Sequence, residues 1–330
     1  MTDKLYVELQ LKLHLMNSNF EIRNFIHNKY NLHTNFNLNE YKHYLTKLKE
    51  IGVTEIEHAG SNLTYFSQKT RLKDVIDINH DLGLKFVFYT GVFGTENIRH
   101  NKQMEKWVQR NKNGNLLSYE NAGTKSAMMC PASSYVDEVT IPYLLEIINT
   151  SPIDKMFFDI PWIMPNGCYC SNCHKINQKE LSKEIIVRKA LKKIVKTIKD
   201  YNQNIKIGVN AGAPTIHNNK FSGAHIDNLK GIFDEYITEW NPYRWNQNVK
   251  NVSRCIKYAK NSVQGTLLHA TTFTDKKGKM YSKDKYIKLF SAIIKEYASP
   301  RLGISFPEEQ LRVIGDAWKT AQNNLFLKNI

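Results

Sequence analysis

The feature that most narrows the fold is a rhythm. Short apolar runs with strand character alternate, along the whole chain, with longer segments of helical periodicity. The strand signals fall at Tyr6–Asn17, Val53–His58, Leu84–Tyr89, Met156–Asp159, Ile205–Asn210, Phe233–Glu239, Ser262–His269 and Leu302–Phe306. Helical patterns separate them at Asn39–Ile51, Lys73–Asp81, Tyr135–Asn149, Gln178–Tyr201, a short segment before the sixth strand, Asn246–Ala259 and Lys283–Ala298, and Glu308–Leu325 closes the chain. Asn37 or Asn39 is placed to cap the first helix and Gly52 to end it. Residues 18–37 read as a polar insertion, and the stretch around Trp107 and Asn113-Gly114 as a long loop. Eight alternating units predict an α/β chain folded as a single (β/α)8 TIM barrel across residues 1–330, with a cysteine-rich loop after strand 4. A doubly wound sheet is the competing architecture, but no Gly-rich phosphate turn follows the first strand.

Composition matters here mainly for what it excludes. A hydrophobic content of 42% and an aromatic content of 11% belong to a folded globular chain. The start, Met1-Thr-Asp-Lys-Leu-Tyr-Val-Glu-Leu-Gln, alternates polar with apolar and carries acids, which is not the pattern of a signal peptide. No apolar run reaches membrane-spanning length. The expectation is a cytoplasmic protein without a membrane partner. The net charge of +15 raises nucleic acid as a partner. However, Lys and Asn are spread throughout, and the densest basic run, 188–199, sets Leu191, Ile194, Val195 and Ile198 at helical spacing. Its lysines then form a solvated face, so no nucleic-acid partner is expected. A homo-oligomer is compatible with this composition.

The most chemically loaded stretch is 154–174. Met156-Phe157-Phe158 reads as a buried strand that stops on Asp159, and Pro161 prevents its continuation. Cys168, Cys170 and Cys173 follow within six residues. Thiolates two and three apart in a turn converge on one ion, and a tetrahedral site needs a fourth ligand. Cys130 is the natural fourth, with His174 as runner-up. Four thiolates make a closed, structural zinc site. The plainer reading is a set of reduced cysteines, or a disulfide, which a reducing compartment disfavours.

In a barrel, chemistry sits where strands end. The residues there are His14, Glu57, His58, Tyr89, Asp159 with Trp162, Asn210, Glu239 with Trp240, and His269, with Trp245 shortly after. Aromatic faces stack on sugar rings, while Asn, His and Tyr bond hydroxyls. Paired carboxylates cleave glycosides, by retention at ~5–5.5 Å separation and by inversion at ~6.5–9.5 Å. Asp159 and Glu239 are the candidate pair, and the other strand-end residues the candidate carbohydrate contacts. Each also has a structural alternative. Asp159 could bond loop amides, Glu239 could pair with Arg244, and the tryptophans could be core. Glu55 and Glu57 fall on one face of their strand, where one could be a buried ion-pair partner. The histidines singly suit structural roles as well as ligation. A catalytically silent carbohydrate-binding barrel is the second reading, and a site of His14, His58 and a carboxylate holding a catalytic zinc the third.

Cys130-Pro-Ala-Ser with Cys168-Tyr-Cys170-Ser-Asn-Cys173 resembles the zinc-binding cysteines of the family 42 β-galactosidases. The wider pattern resembles the hypothetical glycosyl hydrolase group of barrel proteins related to α-L-fucosidases. It rests on Phe158-Asp159 before the cysteine loop, His58-Ala-Gly60, and Lys85-Phe-Val-Phe-Tyr89, and runs from about His14 to Cys173. The resemblance implies a zinc-stapled barrel that hydrolyses O-glycosidic bonds, with Asp159 as nucleophile. Two departures stand against a family 42 catalytic pair. The fourth strand ends in Asp159 rather than Asn-Glu, and the seventh in His269 without a carboxylate. Glu239 as acid/base comes from strand-end placement, with Glu57 as fallback.

Overall fold

A computed structural model describes residues 21–26, 30, 32, 34–60, 69–96, 102–121, 124–159, 161–164, 167–173, 183–211, 223–240, 266–270, 281–296, 301–304 and 311–327. Among these, eight parallel strands hydrogen-bond in a closed ring. In chain order they are β1 (Glu21–Ile26), β2 (Glu55–Ala59), β3 (Lys85–Gly91), β7 (Lys155–Asp159), β8 (Lys206–Asn210), β9 (Glu235–Trp240), β10 (Thr266–Ala270) and β11 (Arg301–Ile304). Each pairs with its chain neighbours, and Glu21 opposite Arg301 closes the ring. Helices α1 (Leu38–Glu50), α2 (Lys69–Asp81), α3 (Ile141–Thr150), α4 (Lys183–Tyr201), the short α5 (Ile226–Leu229), α6 (Lys283–Glu296) and α7 (Leu311–Leu327) alternate with them. The predicted helix Asn246–Ala259 lies outside the described residues. The result is a TIM-like parallel α/β barrel.

Local chemistry explains the helix boundaries. Asn37 caps α1, its side chain accepting from the amides of Asn39 (2.8 Å) and Glu40 (3.3 Å), and Gly52 leaves the helix at φ +98°. Gly83 leaves α2 in the same left-handed conformation, at φ +66°. In α4 the predicted stripe is buried together with Ile186, Val187 and Ala190, while Lys192, Lys193 and Lys196 face solvent. Each large aliphatic side chain so buried contributes roughly 1.5–3 kcal/mol.

Two sequence expectations are corrected. The predicted first strand, Tyr6–Asn17, lies outside the described residues, and the first strand of the ring is Glu21–Ile26, inside the presumed polar insertion. The cause is Arg23, which is 2% exposed and bonded to buried carboxylates. A charge where a core residue is expected hides the strand's apolar alternation. The presumed loop after β3 also carries a small antiparallel sheet, β4 (Gly94–Glu96), β5 (Ser118–Asn121) and β6 (Thr124–Met128), in the order β4-β6-β5. Asn113-Gly114 does turn the chain, with Gly114 at φ +80° between the bridged Arg110 and Leu116.

Inside the ring, Val87, Phe157 and Ile237 pack together with Tyr89 against them. Toward the N-terminal ends of the strands the filling is ionic, where barrels commonly place branched aliphatics. Glu55, Lys155 and Glu235 are the first residues of β2, β7 and β9. Arg23 donates from Nε to Glu55 Oε2 (2.9 Å) and from Nη2 to Glu235 Oε2 (2.7 Å). Lys155 Nζ donates to the other oxygens, Glu55 Oε1 and, at 2.9 Å, Glu235 Oε1. Two cations and two anions thus alternate around a closed box, each carboxylate bridging both cations. Gly208 of β8 leaves room for it, since a Cβ there would lie 3.3 Å from Glu235 Cβ and 3.4 Å from its Oε2.

Candidate active site and thiol cluster

Asp159 is the last residue of β7, at the C-terminal mouth of the barrel, and is half-buried. The neighbouring strands each supply it one neutral donor. Tyr89 of β3 donates its hydroxyl to Oδ2, and Asn210 of β8 donates from Nδ2 to Oδ1 at 2.9 Å. Both carboxylate oxygens are therefore fixed by groups on rigid strands, and no cation is hydrogen-bonded to the carboxylate among the described residues. The Asp159 carbonyl also accepts from the Val92 amide at 3.0 Å, tying the strand end to the segment that enters the small sheet. Tyr89 and Asn210, expected as carbohydrate contacts, are thus brought to Asp159 itself.

Glu239 and Trp240 end β9, and His269 of β10 stands in register with Glu239. Asn210 lies opposite Ile237, two residues before Glu239. The strand-end placement of Glu239 therefore holds at the level of the backbone. His14 and Trp245 lie outside the described residues. Trp162 is half-buried against the core, and its carbonyl accepts from Gln109 Nε2 at 3.3 Å.

His58 is a correction. It is fully buried and faces the helix layer, with Nε2 2.7 Å from the Tyr41 hydroxyl of α1 and its ring stacked on Phe86. Burial pushes its pKa down to about 3, so the ring is neutral. It is neither a sugar contact at the mouth nor a partner for His14 in a catalytic metal site, because alternation along β2 sends neighbours to opposite faces. Glu57, one residue earlier, takes the inner face. It is 2% exposed and accepts from Arg23 Nη1 at 3.2 Å. Burial raises its pKa to about 8 against the opposing pull of Arg23, and the charges of Asp159 and Glu235 add to the rise.

The four cysteines meet. Cys130 follows β6, Cys168, Cys170 and Cys173 follow β7, and their sulfurs all lie within 4.8 Å of one another. Cys130 Sγ is 3.3 Å from Cys173 Sγ and 3.5 Å from Cys170 Sγ. Four thiolates around a zinc at ~2.3 Å stand about 3.8 Å apart in a tetrahedron, so the donor set fits such an ion. Two amides already point at sulfur, Arg110 N–H at Cys168 (3.4 Å) and Cys173 N–H at Cys170 (3.5 Å). Bonding among the thiols, led by Cys130, pulls Cys168 and Cys170 below the usual thiol range, while the same contacts hold Cys130 and Cys173 above it.

No motif or periodicity singles out Gln109. It is fully buried between the small sheet and the cysteine loop. Its Nε2 donates to the carbonyls of Met129 (3.1 Å) and Trp162 (3.3 Å), and its Oε1 accepts from the Met164 amide (2.8 Å). The box residues were also missed, apart from the pairing suspected for Glu55 or Glu57. The available signal was the acid alternation Glu55-Ile56-Glu57 and the Lys that opens the apolar run of β7.

The fold of the ring is similar to that of solved glycoside hydrolases and of a glucanotransferase. One is α-L-fucosidase isoenzyme 2 from Paenibacillus thiaminolyticus, at TM-score 0.70 and 17% identity, covering 93% of this chain and 50% of that one. Another is the GH36 α-galactosidase AgaB from Geobacillus stearothermophilus, at TM-score 0.58 and 10% identity, covering 93% and 42%. A third is a Paenibacillus cycloisomaltooligosaccharide glucanotransferase complexed with cycloisomaltoheptaose, at TM-score 0.54 and 14% identity, covering 78% and 39%. The chain thus spans half or less of the length of these proteins. No family model matches it, and no curated protein matches it by sequence. Among the described residues no helix is long and apolar enough to cross a membrane.

Proposed function

We propose that the chain is the barrel of a glycoside hydrolase that cleaves O-glycosidic bonds with retention of configuration. The observation that carries this reading is Asp159 at the mouth of a parallel barrel, both its oxygens held by neutral donors from flanking strands. Such a carboxylate keeps its charge free for an anomeric carbon while its rotamer is fixed. Asp159 attacks that carbon, and Glu239, ending β9, protonates the departing oxygen and then takes a proton from the incoming water. Trp162, Trp240, Trp245, His269 and His14 are the carbohydrate contacts of this reading. The full architecture of this reading is a (β/α)8 barrel.

Zinc completes the proposal. Cys130, Cys168, Cys170 and Cys173 would hold it as a closed staple between the small sheet and the loop after β7, with no open position for chemistry. The four free thiols suit the reducing cytoplasm.

A panel of aryl glycosides screened with wild type and Asp159→Asn tests the catalytic reading. Turnover by wild type with a loss of at least about a thousandfold in the variant is expected, since no other group replaces the nucleophile. Equal rates in both would remove Asp159 from the mechanism, and no turnover by wild type would favour a silent carbohydrate-binding barrel.

A further inference from the structure

The box of Arg23, Glu55, Lys155 and Glu235 is complete without Glu57. Each of its carboxylates spans both cations, and its formal charges sum to zero. Glu57 is a fifth member, two residues further along β2 toward the mouth, buried to 2% and hydrogen-bonded to an arginine already shared by two other acids. A buried carboxylate without a cation of its own is costly and takes up a proton instead. Among the described residues, Arg23 from β1, Asp159 from β7 and Glu235 from β9 act on it directly; Glu55 of its own strand and Lys155 of β7 join Arg23 and Glu235 in the box, and Tyr89 of β3 bonds Asp159. Of these the two cations are engaged by the box, and Asp159 is the free-standing anion toward the mouth.

We infer that Glu57 is a proton-holding positioning residue beneath Asp159, and that losing its proton selectively slows release of the sugar from the enzyme. The inference rests on reading Asp159 as the nucleophile. In the first step an Asp159 oxygen bonds to the anomeric carbon as the bond to the leaving oxygen breaks, and Asp159 loses its negative charge on becoming an ester. In the second step water attacks that carbon, the ester bond breaks, and Asp159 departs as a carboxylate while the general base takes the water's proton. With Glu57 neutral, that returning charge meets no other unpaired anion below it among the described residues. Once Glu57 has given its proton to solvent, ester formation relieves a repulsion and ester cleavage restores it. The two steps therefore respond with opposite sign to the same ionisation. A residue with a purely structural role would depress both.

The upward displacement of Glu57, to about 8, places this change within reach of experiment. On an activated aryl glycoside turned over by the wild type, whose phenolate departs without protonation by Glu239, kcat should fall above about pH 8 by roughly three- to tenfold, one pK unit of interaction being tenfold. Over the same range kcat/KM should hold or rise, and a burst of released phenol should appear. Glu57→Gln, which keeps the neutral shape, should hold kcat level across that range and abolish the burst. An alkaline fall in kcat that persists in Glu57→Gln, or a parallel fall in kcat/KM, would overturn the proposal. Infrared titration of the protein without substrate separates it from the catalytic reading. A protonated-carboxyl band present at pH 7 and lost near pH 8 is expected in wild type, and it should titrate at lower pH in Asp159→Asn, a measurement that stands even if Glu57→Gln fails to fold. Absence of that band at pH 7 refutes a neutral Glu57. Its presence without turnover of any glycoside keeps the proton on Glu57 and removes the nucleophile reading instead.

Discussion

Replacing Lys155 by Met tests whether the ionic box holds the barrel together. The side chains of Lys155, Glu55 and Glu235 are 4%, 1% and 3% exposed, so water cannot substitute for the lost ammonium. The change leaves Glu55 Oε1 and Glu235 Oε1 without their cation and turns a neutral box into one with a net negative charge. Removing one partner of a buried ion pair costs about 3–5 kcal/mol. Unfolding entropy of roughly 2.1 cal/mol/K per residue gives about 0.7 kcal/mol/K for 330 residues, so Tm should fall by about 4–7 °C. Urea unfolding and calorimetry of the purified variant read both quantities. The pairing of Lys155→Met with Glu235→Gln should recover part of the loss, because it restores the charge balance and leaves one Arg–Glu pair. The box also sets a pH dependence. Burial opposes ionisation of Glu55, but Arg23 and Lys155 outweigh it and lower its pKa. A carboxylate displaced downward contributes stability that is fully present above its ordinary value of 4.5 and is lost as the pH falls below it. Lys155→Met should flatten that acid limb. A single variant within about 1 kcal/mol of wild type, or a double variant that loses the sum of two separate costs, would refute the cooperative box.

The remaining predictions concern the thiols, the buried glutamine and Glu57. Cys170→Ser should lower zinc content, measured by elemental analysis after dialysis, by at least about tenfold, and should loosen the loop after β7 to limited proteolysis. Zinc retained at wild-type level would show that the four sulfurs do not share an ion. Gln109→Leu strips two carbonyls and an amide of their buried partners, at a cost of about 2–4 kcal/mol in urea unfolding. A neutral result would mean that the small sheet and the cysteine loop are held by other contacts. Glu57 should give wild type a stability that declines as pH rises from about 4.5 to about 8, because the folded state holds a proton that the unfolded state releases. At 1.36 kcal/mol per unit the decline amounts to about 5 kcal/mol, and Glu57→Gln should lack it.

Much of this was legible along the chain because it depends on local pattern. The order of the ring strands β2, β3 and β7 to β11 and of the described helices between them follows from periodicity, the limits of α1 from Asn37 and Gly52, and Asp159 from an apolar run stopped by an acid before a proline. The convergence of the cysteines also followed from spacing, although Cys130 lies 43 residues from Cys173. What escaped was the barrel's ionic filling and everything it displaced. Arg23 finds Glu55 across 32 residues and Glu235 across 212, so no window of sequence shows that its charge is matched, and β1 read as a polar insertion. The same holds for His58, whose type suited a sugar site but whose parity on β2 sends it among Tyr41 and Phe86. Periodicity reports which residues share a face, and so the sequence by itself determined the alternation, the strand ends and the thiol set. Closing the ring decided which face is the interior, which buried charges meet, and that Tyr89 and Asn210 reach Asp159, because those pairings arise only when strands distant in the chain become neighbours in space.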